Sequence, residues 1–163
     1  MKYGDIKIYG KGHTTLQEYE GAQRLLAEEF PDHEHTNLKF YDYFFIAKIL
    51  GEDQEIVVGI ITANKYLPDK VQICDITVHK QYRAKAVGLK LLNTLTQKVK
   101  LDGYTYITGM TNKKNREAIN LYRKLGGHQE EMIVTTASVD ETIAVMNHKE
   151  MVLKHREKRR EKE

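Results

Sequence analysis

A single cysteine, Cys74, is all the thiol chemistry that this 163-residue chain contains, so no internal disulfide can form. Core packing has to hold the fold, as it does in reducing compartments. No apolar run approaches the roughly 18 residues that a membrane span requires. The opening M-K-Y-G-D-I-K-I-Y-G lacks the apolar core of a signal peptide, which points to a cytoplasmic protein. An excess of one charge is also missing from most of the chain. The formal net charge is +3, but Lys154 to Glu163 (K-H-R-E-K-R-R-E-K-E) hold six Lys/Arg and three Asp/Glu, and without them 20 basic and 20 acidic residues remain. A body so balanced gives no ground for a nucleic-acid or membrane partner, and the tail reads as a solvated or frayed helix end.

What is present is ordinary for a globular domain: 40% hydrophobic and 30% charged residues over a length that suits one core. Residues 1–153 are expected to form that single domain, with 154–163 as a charged tail. Ile6 to Tyr9 alternates as a short strand. Thr15 followed by Glu18 forms a capping box, and Leu16, Tyr19, Ala22, Leu26 and Phe30 recur at helical spacing until Pro31 ends the helix. Asp32 to Tyr43 is polar and aromatic, with room for a short second helix. Phe44 to Leu50, the turn at Gly51-Glu52-Asp53 and Glu55 to Thr62 give a hairpin signal, and a turn at Leu67-Pro68-Asp69 leads to a third strand, Val71 to His79. A helix from about Ala86 to Leu101 follows, with Leu91, Leu92, Leu95 and Val99 on one face, then a strand from Tyr104 to Met110. Asn115 can cap a helix whose stripe is Ala118, Leu121, Tyr122 and Leu125, stopped by Gly126-Gly127. Two last strand-like runs, His128 to Ser138 and Thr142 to Leu153, flank a turn at Val139-Asp140-Glu141. The order is β-α-α-β-β-β-α-β-α-β-β. It predicts an α/β (α+β) fold: a mixed, mostly antiparallel sheet of six to seven strands flanked by about four helices.

One junction stands out chemically. Ile73 to Gly88 (I-C-D-I-T-V-H-K-Q-Y-R-A-K-A-V-G) carries an apolar-rich strand into a short basic loop and then into a helix start. Helix starts leave several backbone N–H groups unpaired and hold the positive end of the macrodipole, so this junction suits a pyrophosphate. Gln81 to Leu92 resembles the acetyl-CoA loop of the GNAT N-acetyltransferase superfamily, written Q/R-x-x-G-x-G/A. Arg83 stands at its first position and Gly88 at its last, with Ala86 where the middle glycine is usual. Asn115 to Gly126 (N-R-E-A-I-N-L-Y-R-K-L-G) resembles the second part of the same pattern, N-x-x-A-x-x-L-Y-x-K-L-G. A Cβ at position 86 would crowd a close phosphate, although alanine tolerates the helical φ expected of a first-turn residue.

The resemblance implies a GNAT fold and transfer of an acetyl group from acetyl-CoA to a primary amine, with no metal. Backbone groups of Ile76, Thr77 and Val78 would pair with the pantetheine arm, and the Val78 N–H would stabilise the oxyanion. Amides of Arg83, Ala84, Lys85, Ala86, Val87 and Gly88 would hold the pyrophosphate, and Asn115 would bond the pantetheine. Tyr122, about 10 Å further along the same helix face, would protonate the departing thiolate. The last two strands would offer an edge for a homodimer, as they do in this family.

The base that deprotonates the amine is less determined. Asp75 is the nearest carboxylate, whereas the glutamate that some members carry on this strand matches Gln72. Asp75 can equally pair with a basic neighbour, and water leading to more distant carboxylates is the rival base. Tyr122 can likewise be a core residue. Cys74, with no partner at a recognisable spacing, reads as a buried small hydrophobe rather than a nucleophile. His33 and His35 lack a third ligand and read as exposed. Phe40 to Met132 is similar to the small-molecule branch that includes aminoglycoside 3-N-acetyltransferases, and Asp32, Glu34, Asp42 and Asp75 could form an acidic cleft for a small cationic amine. Acetylation of a protein N-terminus or lysine, or a non-catalytic CoA-binding module, is the alternative.

Overall fold

The structure is a computed structural model that describes residues 2–29, 37–83, 86–110, 128–129 and 134–163. The chain divides into two compact units, Met1–Asn64 with Asp75–Leu95 and Lys65–Cys74 with Thr96–Glu163.

The first unit contains β1 (Lys7–Gly10), α1 (Leu16–Glu29), β2 (Tyr43–Leu50), most of β3 (Glu55–Leu67), the end of β4 (Lys70–Val78) and the start of α2 (Val87–Leu101). Its strands follow the order β1-β2-β3-β4, with β1 and β3 both antiparallel to β2. The capping box forms as expected: Thr15 N donates to Glu18 Oε2 (3.4 Å) and Glu18 N to Thr15 Oγ1 (3.2 Å), satisfying donors that the helix start leaves open. Ala22, Leu25 and Leu26 of α1 pack on Leu38, Tyr41, Phe44, Ile46 and Ile60. Complete burial of Leu26, Phe44 or Ile60 contributes about 1.5–3 kcal/mol each. Tyr19, Ala22 and Leu26 of the expected stripe face the core and Leu25 joins them, whereas Leu16 is 69% exposed. Leu16 opens the first turn, where only the capping box fixes the chain.

A β-bulge interrupts the β2–β3 ladder. Ala47 opposes Gly59 while Lys48 opposes Val57, so Val58 is an extra residue on β3. The insertion lets Val57 and Ile60, three residues apart, both pack toward α1. On the other face Gly59 admits α2 closely. A Cβ there would lie 2.9 Å from Val87 Cγ1, 3.0 Å from Leu91 Cδ1 and 3.2 Å from the Thr77 carbonyl oxygen. Val87, Leu91, Leu92 and Leu95 are buried along that helix, as their spacing predicts.

In the second unit, β4 runs parallel to β5 (Tyr106–Met110), from Lys70 opposite Tyr106 to Ile73 opposite Gly109. β5 pairs antiparallel with β7 (Val134–Ser138), and β6 (His128–Gln129) pairs antiparallel with β7. The run His128 to Ser138, expected as one strand, is therefore two strands that fold back on each other. The larger correction follows it. Val139–Lys162 is one helix, α3, where a turn and a strand over Thr142 to Leu153 were expected. Val139, Thr142 and Met146 are buried, and their spacing of three and four is helical rather than alternating. Asp140 and Glu141 in the first turn and Arg159, Arg160 and Lys162 in the last complement the helix macrodipole, and the charged tail continues the helix. The edge expected of the last two strands thus loses its second member.

Candidate cofactor and acceptor site

β4 continues past its last β5 partner through Cys74, Asp75, Ile76, Thr77 and Val78. It ends where His79 turns the chain. The His79 N–H donates to the Val58 carbonyl (2.8 Å), and its Nδ1 accepts from the Gln81 N–H (3.2 Å), capping a single 3-10 turn over Lys80–Tyr82. Arg83 leaves this turn in extended conformation. Its Nε donates to the Val78 carbonyl (3.1 Å), and its guanidinium pairs with Glu29 at the end of α1.

Ala86 then adopts a φ of +67°, the left-handed region that an alanine enters at a cost of about 1–2 kcal/mol. The helical φ expected of it is not found. Helix α2 begins one residue later, and the Ala86 carbonyl accepts the first helical bond, from the Lys90 N–H (3.0 Å). The N–H groups of Val87, Gly88 and Leu89 therefore have no acceptor inside the helix. A residue in the left-handed region followed by right-handed ones aims successive amides into one anion-binding concavity. Gly88 sits against the strand, a Cβ there meeting Val78 Cγ2 at 3.8 Å and Ile76 Cδ1 at 4.0 Å. Loop, helix start and the Ile76–Val78 backbone are thus one construction. On the other face of the same strand, Thr77 Oγ1 is buried without a hydrogen-bond partner. These groups fit a ligand with an extended amide-bearing arm and a pyrophosphate, which are the parts that acetyl-CoA carries.

Asp75, half-buried, has two partners that the sequence did not reveal. Its Oδ2 accepts from Thr62 Oγ1 (3.0 Å) and from the Tyr41 phenol (3.3 Å). Thr62 is fully buried and Tyr41 is 6% exposed. Asp75 forms no ion pair among the described residues, so the basic neighbour allowed for it is replaced by two neutral hydroxyls. Cys74, the next residue, is exposed on the opposite face of the strand, which corrects the expectation of burial. Alternation explains both positions, since Val71, Ile73 and Thr77 occupy the buried face of β4.

Lys48 makes a contrasting cluster. Its Nζ lies 2.6 Å from Glu18 Oε1, 2.9 Å from Glu55 Oε2 and 4.1 Å from the centre of the Tyr9 ring. Burial acts to lower its pKa, but the hydrogen bonds and charges of Glu18 and Glu55 outweigh it and raise the ammonium above its ordinary 10.5. The bond from Lys48, aided by its charge, holds the Glu55 carboxyl below its ordinary 4.5.

Ala84, Lys85, Asn115 and Tyr122 lie outside the described residues, as do Asp32, His33, Glu34 and His35. Asp42 is exposed, and its N–H donates to Asn64 Oδ1 (2.9 Å). Among the described residues no group of three or more His, Cys, Asp or Glu is placed to hold a metal, and no helix is long and apolar enough to cross a membrane.

The profile of the acetyltransferase (GNAT) family matches residues 13–127. The chain belongs to the acetyltransferase (GNAT) family. It is similar to the L-2,4-diaminobutyric acid acetyltransferase of Shouchella clausii (strain KSM-K16), 28% identical over 114 residues, which cover 67% of this chain and 63% of that protein. The match thus spans less than two thirds of that relative. Among solved structures, Ard1 from Thermoplasma volcanium superposes with a TM-score of 0.68 at 18% identity, covering 82% of this chain and 97% of that one. A GNAT family acetyltransferase from Elizabethkingia anophelis with acetyl-CoA bound gives 0.61 at 17%, covering 82% and 98%. The GNAT fold implied by the two sequence motifs is therefore the fold of this chain.

Proposed function

We propose that the chain is an N-acetyltransferase that moves an acetyl group from acetyl-CoA to a primary amine of a small cationic molecule. The observation that carries this reading is the junction of β4 with α2, where unpaired helix-start amides lie directly beyond a strand whose backbone runs on past its β5 partner. Membership of the family supports the reaction type, and the relative named for diaminobutyrate supports a small amine. The aminoglycoside- or polyamine-like acceptor inferred from the sequence belongs to the same chemical class.

Acetyl-CoA, when bound, supplies the activated acetyl group. Ile76, Thr77 and Val78 would pair with its arm, with Asn115 adding a bond. The amides around Arg83 to Gly88, with that of Leu89, would take the pyrophosphate. Asp75 would remove a proton from the ammonium. The nitrogen lone pair would then form the N–C bond as the C–S bond breaks, the Val78 N–H would stabilise negative charge on the carbonyl oxygen, and Tyr122 would return a proton to sulfur.

Isothermal titration with acetyl-CoA, followed by thiol release across 2,4-diaminobutyrate, spermidine, a deoxystreptamine aminoglycoside and N-terminal and lysine peptides, tests the proposal. Turnover on a small amine is the expected result. Turnover on peptides alone would move the assignment to protein acetylation. Tight binding with no release on any acceptor would reduce the chain to a CoA-binding module. Tyr122→Phe is expected to lower kcat while leaving acetyl-CoA affinity nearly unchanged.

A further inference from the structure

We infer that Tyr41 and Thr62 are positioning residues for the base, fixing Asp75 so that one chosen oxygen faces the acceptor amine. The inference rests on Asp75 acting as the base. Both hydroxyls donate to the same atom, Oδ2, at 3.3 and 3.0 Å, from two different elements. Thr62 stands on β3, fully buried, and Tyr41 lies two residues before β2 with its ring in the core. Two donors converging on one oxygen stop rotation of the carboxylate and leave Oδ1 for the substrate proton. A carboxylate with a purely structural role is usually paired with a cation or with backbone N–H groups. Here both partners are neutral, so orientation is fixed while no cation among the described residues pairs with the carboxylate. An arriving ammonium group meets a carboxylate held by hydroxyls alone, and the proton it gives up has one oxygen to go to.

Tyr41 has a second connection that gives the arrangement reach. Its carbonyl oxygen accepts from Lys11 Nζ (2.8 Å), and its chain neighbour Asp42 is tied through its N–H to Asn64. The backbone that delivers the phenol is thereby anchored on both sides, from the turn after β1 and from β3. These contacts join residues far apart in the chain, and one of them holds Asp42, a member of the acidic cleft expected for the acceptor.

The experiment compares Tyr41→Phe, Thr62→Val and Thr62→Ser, each alone and combined with Asp75→Asn, on the best small amine of the panel above. Loss of a hydrogen bond to a charged group should lower kcat about tenfold in Tyr41→Phe and in Thr62→Val. The KM for acetyl-CoA should stay at the parental value, and Thr62→Ser should restore turnover. In the Asp75→Asn background the hydroxyl changes should have no further effect, because the three groups act as one unit. Thermal melting checks that each variant is folded, and Tyr41→Phe carries the test where Thr62→Val is not. Parental kcat in Tyr41→Phe and Thr62→Val beside a disabled Asp75→Asn would overturn the positioning role alone. Losses that add to that of Asp75→Asn would do the same. Parental kcat in Asp75→Asn, or no turnover on any small amine, would remove the base assignment and this inference with it.

Discussion

Two acidic clusters lie within the first unit, and the difference between them separates architecture from chemistry. Around Lys48, one ammonium meets two carboxylates within 3 Å, each of them paired with it, and the result ties the α1 start to β2 and β3. Around Asp75, a carboxylate is held just as definitely, but by hydroxyls that contribute no charge. A compensated charge that is out of water stabilises a fold and does little else. An uncompensated one costs desolvation and is retained where it has a proton or a cation to handle.

The contrast can be broken by experiment, starting where the effect should be largest. Asp75→Asn is expected to lower kcat about 100-fold, the low end of what general-base catalysis contributes, with little change in the urea midpoint. The opposite pattern is expected at the other cluster. Lys48→Met should destabilise the protein by about 2–3 kcal/mol, because Glu18 and Glu55 are left facing each other, while turnover per folded molecule stays near parental. If Lys48→Met lowered turnover as strongly as Asp75→Asn, the division between the clusters would be lost.

The same cluster sets a pH dependence. The Lys48 pKa is raised on folding, so its contribution is complete below its ordinary 10.5 and is lost as pH rises beyond that value. The Glu55 pKa is lowered, so its contribution is complete above its ordinary 4.5 and is lost as pH falls below it. Urea midpoints measured across pH should decline at both ends, and both declines should flatten in Lys48→Met. The smallest effect expected is at the helix start: Ala86→Gly should stabilise by about 1 kcal/mol by relieving the left-handed φ. Destabilisation there would show that the alanine methyl contributes packing worth more than the strain.

Much of the fold was legible because its signals are local. The capping box at Thr15 and Glu18, the apolar stripe of α2 and the hairpin of β2 and β3 each lie within a window that a periodicity can cover. The Asp75 partners lie 34 and 13 residues away, and hydroxyl-to-carboxylate contacts leave no period in the chain. Cys74 was misread by type, since a strand decides burial by parity and residue 74 falls on the outward side. The α3 helix was misread because β-branched residues near its start look strand-like, while the buried set Val139, Thr142 and Met146 is too sparse to show a stripe unless the fold is known. At Ala86 the motif was legible and its conformation was not. Which residue ends a loop and which begins a helix depends on tertiary packing, which no local motif encodes.

The extra residue on β3 bears on how this chain can change length. Counting from Ile60, an uninterrupted strand would put Val57 and Glu55 on the face away from α1, with Glu55 out of reach of Lys48. The bulge at Val58 reverses that parity and brings the Glu55 carboxylate beneath the ammonium. A chain lacking Val58 would keep every pair from Ala47–Gly59 and Lys48–Val57 onward in a regular ladder, with Glu55 still on the α1 side. It would forfeit the packing of one buried valine and the carbonyl that accepts the His79 N–H. Loss of either adjacent valine, which leaves the same chain, therefore keeps Glu55 on the α1 side at the cost of the His79 contact, whereas an insertion between Val57 and Glu55 would turn the carboxylate away from Lys48.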